Sequence, residues 1–302
     1  MLIGEGRRPS HRNGGMSMAT FTNQASLTYN GLTATSNIVT GELLETLSIT
    51  KEALNMQYNA DGSLTYAVNL INSGTTALTG LTLTDDLGAY QIGGVSRAPL
   101  RYAAGTARYF VNGVLQTAPT VTAGPPLTIA GISVPAGGNA AILYEALPTA
   151  YAPLTAGSRI VNTAQASGAA LPGAITATST VNVGTEPVLS ISKAVSPTTV
   201  SPNGQLTYTF VIENTGNTAA DASDLVAVTD VFTPILTDLT VTFNGATWTP
   251  TTNYTYNVAT GAFATVPGQI TVPAATYTQS TATGEWIVTP GVSTLTVTGF
   301  VA

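Results

Sequence analysis

The sequence predicts an all-β chain of two tandem antiparallel sandwiches, the second lacking its last strand, preceded by an N-terminal donor strand. Three observations predict it. Apolar residues alternate with Thr, Ser or Asn over short runs, as in Leu64 to Leu70, Leu78 to Leu83, Leu206 to Ile212 and Leu295 to Val301, which is the period of half-buried strands. Turn dipeptides separate the runs at Asp61-Gly62, Asn112-Gly113, Asn203-Gly204 and Asn244-Gly245. Finally, Leu47-Ser48-Ile49-Thr50-Lys51 returns almost unchanged as Leu189-Ser190-Ile191-Ser192-Lys193, a shift of 193 − 51 = 142 residues. The shift holds without a gap through Leu64-Thr65-Tyr66 against Leu206-Thr207-Tyr208 and Asn72-Ser73-Gly74 against Asn214-Thr215-Gly216. The chain therefore repeats a whole domain, and short strands at this spacing read as sandwiches of immunoglobulin type.

The chain divides in order. Residues 1–18 hold Arg7, Arg8 and Arg12 but no apolar run of signal-peptide length, so they read as a leader or as sequence before a true start at Met16 or Met18. Residues 19–46 form the donor strand and its connector. Residues 47–184 form domain 1, which runs through Ala140 to Tyr144 and then gains a further strand, Arg159 to Ala166. Residues 185–302 form domain 2, which runs through Val292 to Val301 with no counterpart of that last strand. The missing strand has a match at the other end of the chain. Phe21-Thr22-Asn23-Gln24-Ala25 resembles Ile160-Val161-Asn162-Thr163-Ala164, and Ala34-Thr35-Ser36 follows the first much as Ala177-Thr178-Ser179 follows the second. A sandwich short of a strand exposes an edge and part of its core. A strand carried at the head of one copy can fill that groove in the next.

Composition narrows the function. The 302 residues suffice for about two domains, each with its own core. Charged residues are only 8%, and the net charge is −6, so there is no basic surface for nucleic acid or an anionic membrane. With no cysteine, neither a disulfide framework nor a thiolate metal site is available. No apolar segment reaches the roughly 20 residues that span a bilayer. Lysine occurs only at Lys51 and Lys193, at corresponding places in the two repeats.

Strand geometry turns those lysines inward. Residues two apart share a face, so Lys51 points with Leu47 and Ile49, and Lys193 with Leu189 and Ile191. By the same alternation Asp85 points with Leu81 and Leu83, Asp230 with Val226 and Val228, Asn162 with Ile160 and Ala164, and Asn23 with Phe21 and Ala25. Burial lowers an amine pKa and raises a carboxyl pKa, so a buried Lys beside a buried acid can lose its proton and become a nucleophile. Lys51 attacking the side-chain amide of Asn162, assisted by Asp85, would release ammonia and leave an isopeptide crosslink. That is a single-turnover self-reaction, so no enzyme acting on an external substrate is expected.

On these residues the chain resembles a bacterial surface-repeat domain of unknown function that occurs in tandem in wall and fibre proteins. It is also similar to the isopeptide-forming domains of Gram-positive adhesins and pilins. The resemblance covers Leu47 to about Val183 and Val188 to Ala302. Its motifs are Ile49-Thr50-Lys51, Leu83-Thr84-Asp85 and Val161-Asn162-Thr163-Ala164, with Ser192-Lys193 and Val228-Thr229-Asp230 in domain 2. It implies Lys51 as nucleophile, Asn162 as acceptor and Asp85 as assisting acid. Domain 2 departs by having no Asn after Asp230 in the acceptor position, and Asn23 of another copy is the expected substitute.

Other groupings carry less. Asp86, Asp221, Asp224 and Asp238 lack metal-loop spacing and read as solvated loop acids, so no metal and no cofactor are expected. Trp248, Tyr254, Tyr256 and Trp286 could line a carbohydrate-binding surface but read as core or cross-strand residues. The expected function is a structural subunit of an extracellular, cell-surface or spore-surface fibre, a head-to-tail homopolymer that binds no nucleic acid and inserts in no membrane. The alternative is a monomeric stalk or adhesin module that presents a ligand-binding face.

Overall fold

A computed structural model describes residues 18–44 and 46–302, with the side chains of 18–21 and 42–44 excepted. The leader expected over residues 1–18, with His11 and the candidate start at Met16, falls almost entirely outside the described residues. The chain is all-β, with a single short 3-10 turn at Ala222–Asp224 among the described residues.

Domain 1 is a sandwich of two sheets. The first runs Val114–Leu115, Arg108–Val111, Asn139–Pro148, Leu64–Asn72 and Leu47–Ala53, with Leu100–Tyr102 also pairing Asn139–Pro148. The second runs Thr120–Thr122, Leu127–Val134, Leu78–Asp85, Arg159–Ser167, Ile175–Val183 and the short parallel strand Gln57–Tyr58. Strict alternation decides which side chains meet between them. Leu64, Tyr66, Val68 and Leu70 from one sheet are buried against Leu81, Leu83, Ile129, Ile160 and Ala164 from the other. Burying a side chain of this kind contributes about 1.5–3 kcal/mol, so register errors that turn a strand over are strongly disfavoured.

Domain 2 repeats the first sheet: Leu189–Ser196, Gln205–Asn214, Gly291–Val301, Leu236–Phe243 and Ala246–Thr247. The hairpins Asn112-Gly113 and Asn244-Gly245 occupy matching places, and each puts both turn residues at positive φ, as the tight hairpin turn requires. The second sheet is reduced to Thr229–Val231, Ala262–Thr265 and Tyr254–Asn257. Thr229–Val231 corresponds to the Asp85 strand. On the side where Arg159–Ser167 pairs in domain 1, it has no neighbour among the described residues. Counterparts of two strands, Arg159–Ser167 and Ile175–Val183, are thus not found in domain 2, one more than the alternation alone suggested. Trp248 and Tyr254 are core residues, stacked or tilted against Phe243 and Phe263.

The head likewise holds more than one strand. Met18–Asn23 pairs antiparallel with Val39–Leu44, and between them Ser26–Tyr29 pairs with Leu32–Thr35. Together they resemble the hairpin that Arg159–Ser167 makes with Ile175–Val183 in domain 1.

The repeated Asn-Ser/Thr-Gly motif shapes the same corner twice. Asn72 and Asn214 are both fully buried; each amide donates to a carbonyl four residues on and accepts from the backbone N–H of the following glycine. Gly216 cannot carry a side chain, because a Cβ there would lie 2.3 Å from the Glu186 carbonyl oxygen. The two domains touch where Asn217 donates to the carbonyls of Leu154 and Gly184, and where the Trp286 backbone N–H donates to the Ala150 carbonyl.

Candidate crosslinking site

The site in domain 1 is assembled from both sheets. Leu47–Ala53 brings Lys51 from one sheet, and Leu78–Asp85 and Arg159–Ser167 bring Asp85 and Asn162 from the other. The last two strands are neighbours in which Asp85 pairs with Ala164, two residues from Asn162 on the same inward face. All three side chains are buried.

Lys51 Nζ donates to Asp85 Oδ2 at 2.5 Å, and neither side chain has appreciable access to water. Two further donors hold the same carboxylate. The Tyr144 hydroxyl donates to Oδ2, and the Leu87 N–H donates to Oδ1 at 2.9 Å. Burial is the main influence on Lys51 and lowers its pKa, while the charge and hydrogen bond of Asp85 and the charge of Asp86 oppose the shift. The amine is therefore easier to deprotonate than a surface lysine. Burial also raises the pKa of Tyr144, with Asp85 reinforcing it, so the phenol stays protonated and remains a donor.

Asn162 is fully buried, and among the described residues neither its Oδ1 nor its Nδ2 makes a hydrogen bond. Leaving a buried amide unsatisfied costs about 1–3 kcal/mol, so an inert asparagine is a poor choice for this position. The Asn162 amide lies close enough to the Tyr66 and Tyr144 hydroxyls to oppose the upward shift that burial gives both phenols, although neither contact has hydrogen-bond geometry.

Domain 2 places the second set differently. Lys193 meets Asp230 in an ion pair and sits over the rings of Tyr208, Phe210 and Phe232. It is thus on the inward side of its sheet, as alternation requires. Yet the Lys193 side chain is 39% exposed and Asp230 18%, contrary to the expectation of a buried pair. The reason is that no strand among the described residues covers the groove above them. Asn23 is exposed, paired with Val39 inside the head hairpin.

Sequence reasoning did not single out Tyr144, Tyr66 or the Leu87 N–H. Tyr66 had a visible signal, since it belongs to the segment that recurs as Tyr208. Tyr144 had none, because the register that faces it to Tyr66 puts Val297 opposite Tyr208. Among the described residues no cluster of three or more His, Asp or Glu side chains could hold a metal ion, and no helix is long and apolar enough to cross a membrane.

Comparisons with solved structures give the neighbours of the chain as a whole. Its structural neighbours include pilin and adhesin domains. BcpA, the major pilin subunit of Bacillus cereus, is 15% identical, with 57% of this chain and 49% of that one covered and a TM-score of 0.33. The RrgB pilus backbone of Streptococcus pneumoniae is 10% identical, with 82% and 55% covered and a TM-score of 0.30. The collagen adhesin CNA of S. aureus is 12% identical, with 56% and 78% covered and a TM-score of 0.30. The chain spans about half the length of the two pilins. No family model and no curated protein sequence matches the chain.

Proposed function

We propose that the chain is a structural subunit of a bacterial surface or spore-associated fibre, hardened by a self-made isopeptide bond between Lys51 and Asn162. The buried, hydrogen-bond-starved Asn162 beside the Lys51–Asp85 pair carries this reading. Lys51 passes a proton to Asp85, and its neutral Nζ attacks Cγ of Asn162. The bond from Cγ to Nδ2 then breaks as Asp85 gives its proton to the departing nitrogen and takes the second proton from Nζ, so ammonia leaves, the new amide is neutral and Asp85 ends protonated. The product amide removes both a buried charge and an unsatisfied primary amide. The reaction runs once per chain and consumes no outside substrate.

Assembly follows from two surfaces. Every residue of the head from 22 to 40 is exposed, including the apolar Leu27, Tyr29, Leu32, Ile38 and Val39. A lone hairpin of this kind is at best marginally stable in water. The Lys193 strand of domain 2 is also exposed along its length, with Leu189, Ile191 and Val195 uncovered. Seating the head of one copy in domain 2 of the next covers both, brings Asn23 toward Lys193 and Asp230, and repeats head to tail without closing. A Lys193–Asn23 bond then makes the fibre covalent.

The test is intact mass and boiled denaturing gels on the full-length chain, on Lys193→Ala and on a deletion of residues 1–27. The proposal expects a ladder of multimers in the wild type that collapses in both variants. Each linkage should be about 17 Da light, as loss of ammonia requires. A wild-type monomer of full mass would sink both bonds. A monomer lacking only one ammonia would keep the bond in domain 1 and reject covalent polymerisation.

A further inference from the structure

Building on the crosslink reading, we infer that Tyr66 is a catalytic residue of the bond-forming reaction, its hydroxyl donating a hydrogen bond to Oδ1 of Asn162 as that oxygen becomes an oxyanion. Attack of the Lys51 amine on Cγ moves an electron pair onto Oδ1. That pair returns when the bond to Nδ2 breaks and ammonia departs. The buried core has no water to stabilise the transient charge, so a positioned donor has its largest effect there.

Several observations single out Tyr66. Its hydroxyl is buried and has no hydrogen-bond partner among the described residues, and the same holds for both polar atoms of Asn162, which it faces. Buried polar groups are nearly always paired, so mutually unpaired groups side by side suit a partner geometry that forms only during reaction. Tyr66 also adjoins the nucleophile. Lys51 pairs with Val68 and Ala53 with Tyr66 in adjacent strands, and Lys51 Nζ lies 4.8 Å from the Tyr66 ring centroid.

The neighbouring tyrosine does a different job. Tyr144 stands directly opposite Tyr66, with ring centroids 5.6 Å apart, but its proton is committed to Asp85. It is a positioning residue for the acid, which leaves Tyr66 as the phenol with an uncommitted proton. Burial raises the pKa of Tyr66, so that proton stays in place. The repeat keeps only one of the two tyrosines. Domain 2 keeps Tyr208 beside Lys193, whose Nζ lies 4.5 Å from its ring centroid, while Val297 stands where Tyr144 would be.

The experiment follows the mass of newly made full-length chain over time after cell-free synthesis, for wild type and Tyr66→Phe. Removing an oxyanion donor should slow ammonia loss by about 10²–10³-fold while the bond still forms at the same two residues. Melting of Lys51→Ala is compared with that of Lys51→Ala/Tyr66→Phe, neither of which can form the bond, and the double variant should melt no lower, because Phe removes a buried unpaired hydroxyl. Bond formation in Tyr66→Phe at the wild-type rate overturns the inference. So does a large loss of melting temperature in the double variant, which assigns any slowing to packing. Failure of the wild type to lose ammonia in domain 1 removes the crosslink reading itself, and with it this role for Tyr66.

Discussion

Lys51 and Asp85 form an ion pair sealed from water in domain 1, whereas their counterparts Lys193 and Asp230 form one that solvent reaches. The same two residue types on the same two strands thus have opposite environments within one chain. Burying ions costs several kcal/mol each, repaid only with good geometry and additional hydrogen bonds. Domain 1 supplies those bonds from Tyr144 and Leu87. Domain 2 leaves its pair hydrated until something covers it.

Asp85→Ala strips the partner from a buried ammonium and also removes the acid of the reaction. The variant should retain its full mass and be destabilised by about 3–5 kcal/mol relative to a bond-free Asn162→Ala control. Chemical denaturation with mass measurement of both variants checks this. Equal stability of the two would show that Asp85 does not neutralise Lys51 in the core.

Asn162 behaves in the opposite sense. In a Lys51→Ala background, where no bond can form, Asn162→Ala removes a buried amide with no hydrogen bonds. The cost of the small cavity and the relief of about 1–3 kcal/mol from the unsatisfied amide then oppose each other. Thermal melting should find the double variant within about 1 kcal/mol of Lys51→Ala, since these effects are of similar size. A loss of several kcal/mol would mean that Asn162 has a structural partner.

The pH dependence of Asn162→Ala has a definite sign. Lys51 keeps its ordinary pKa of 10.5 in the unfolded chain and a lower one in the folded chain, chiefly because of burial. Between those two values the unfolded state holds more protons, so stability rises with pH and is complete above 10.5. It falls away as pH drops toward the folded pKa. Lys51→Ala/Asn162→Ala lacks the group and should be flatter over the same window in denaturation titrations. In the reactive protein, bond formation should quicken as pH rises toward the folded pKa of Lys51 and level off above it, because only the neutral amine attacks.

Acylation of amines reads exposure directly. In the unassembled subunit a lysine-specific acylating reagent should modify Lys193 and leave Lys51 untouched, because their side chains are 39% and 0% exposed. Assembly should then protect Lys193. Peptide mapping that finds Lys193 still modified in fibres would place the head elsewhere than in the domain 2 groove.

Much of this architecture is legible in the sequence itself. The period of two, the turn dipeptides and the 142-residue repeat (193 − 51 = 142) mark strands, hairpins and domain copies, because each is a local property of the backbone. The inward direction of Lys51, Asp85 and Asn162 followed from the same alternation, with Leu47, Leu83 and Ile160 as guides.

Whether an inward residue is also buried is a different question, and it was settled by which strands lie across the sandwich. Lys193 points inward and is still exposed, because among the described residues no counterparts of Arg159–Ser167 and Ile175–Val183 lie above it. Tyr144 meets Asp85 only because strands distant in sequence pair in one register, and the matching register in domain 2 delivers Val297. The sequence by itself determined the strands, their faces and the repeat, since these depend on neighbours along the chain. Only the tertiary structure decided which lysine loses its water and which hydroxyl stands beside Asn162, since desolvation depends on what the rest of the fold brings across the core.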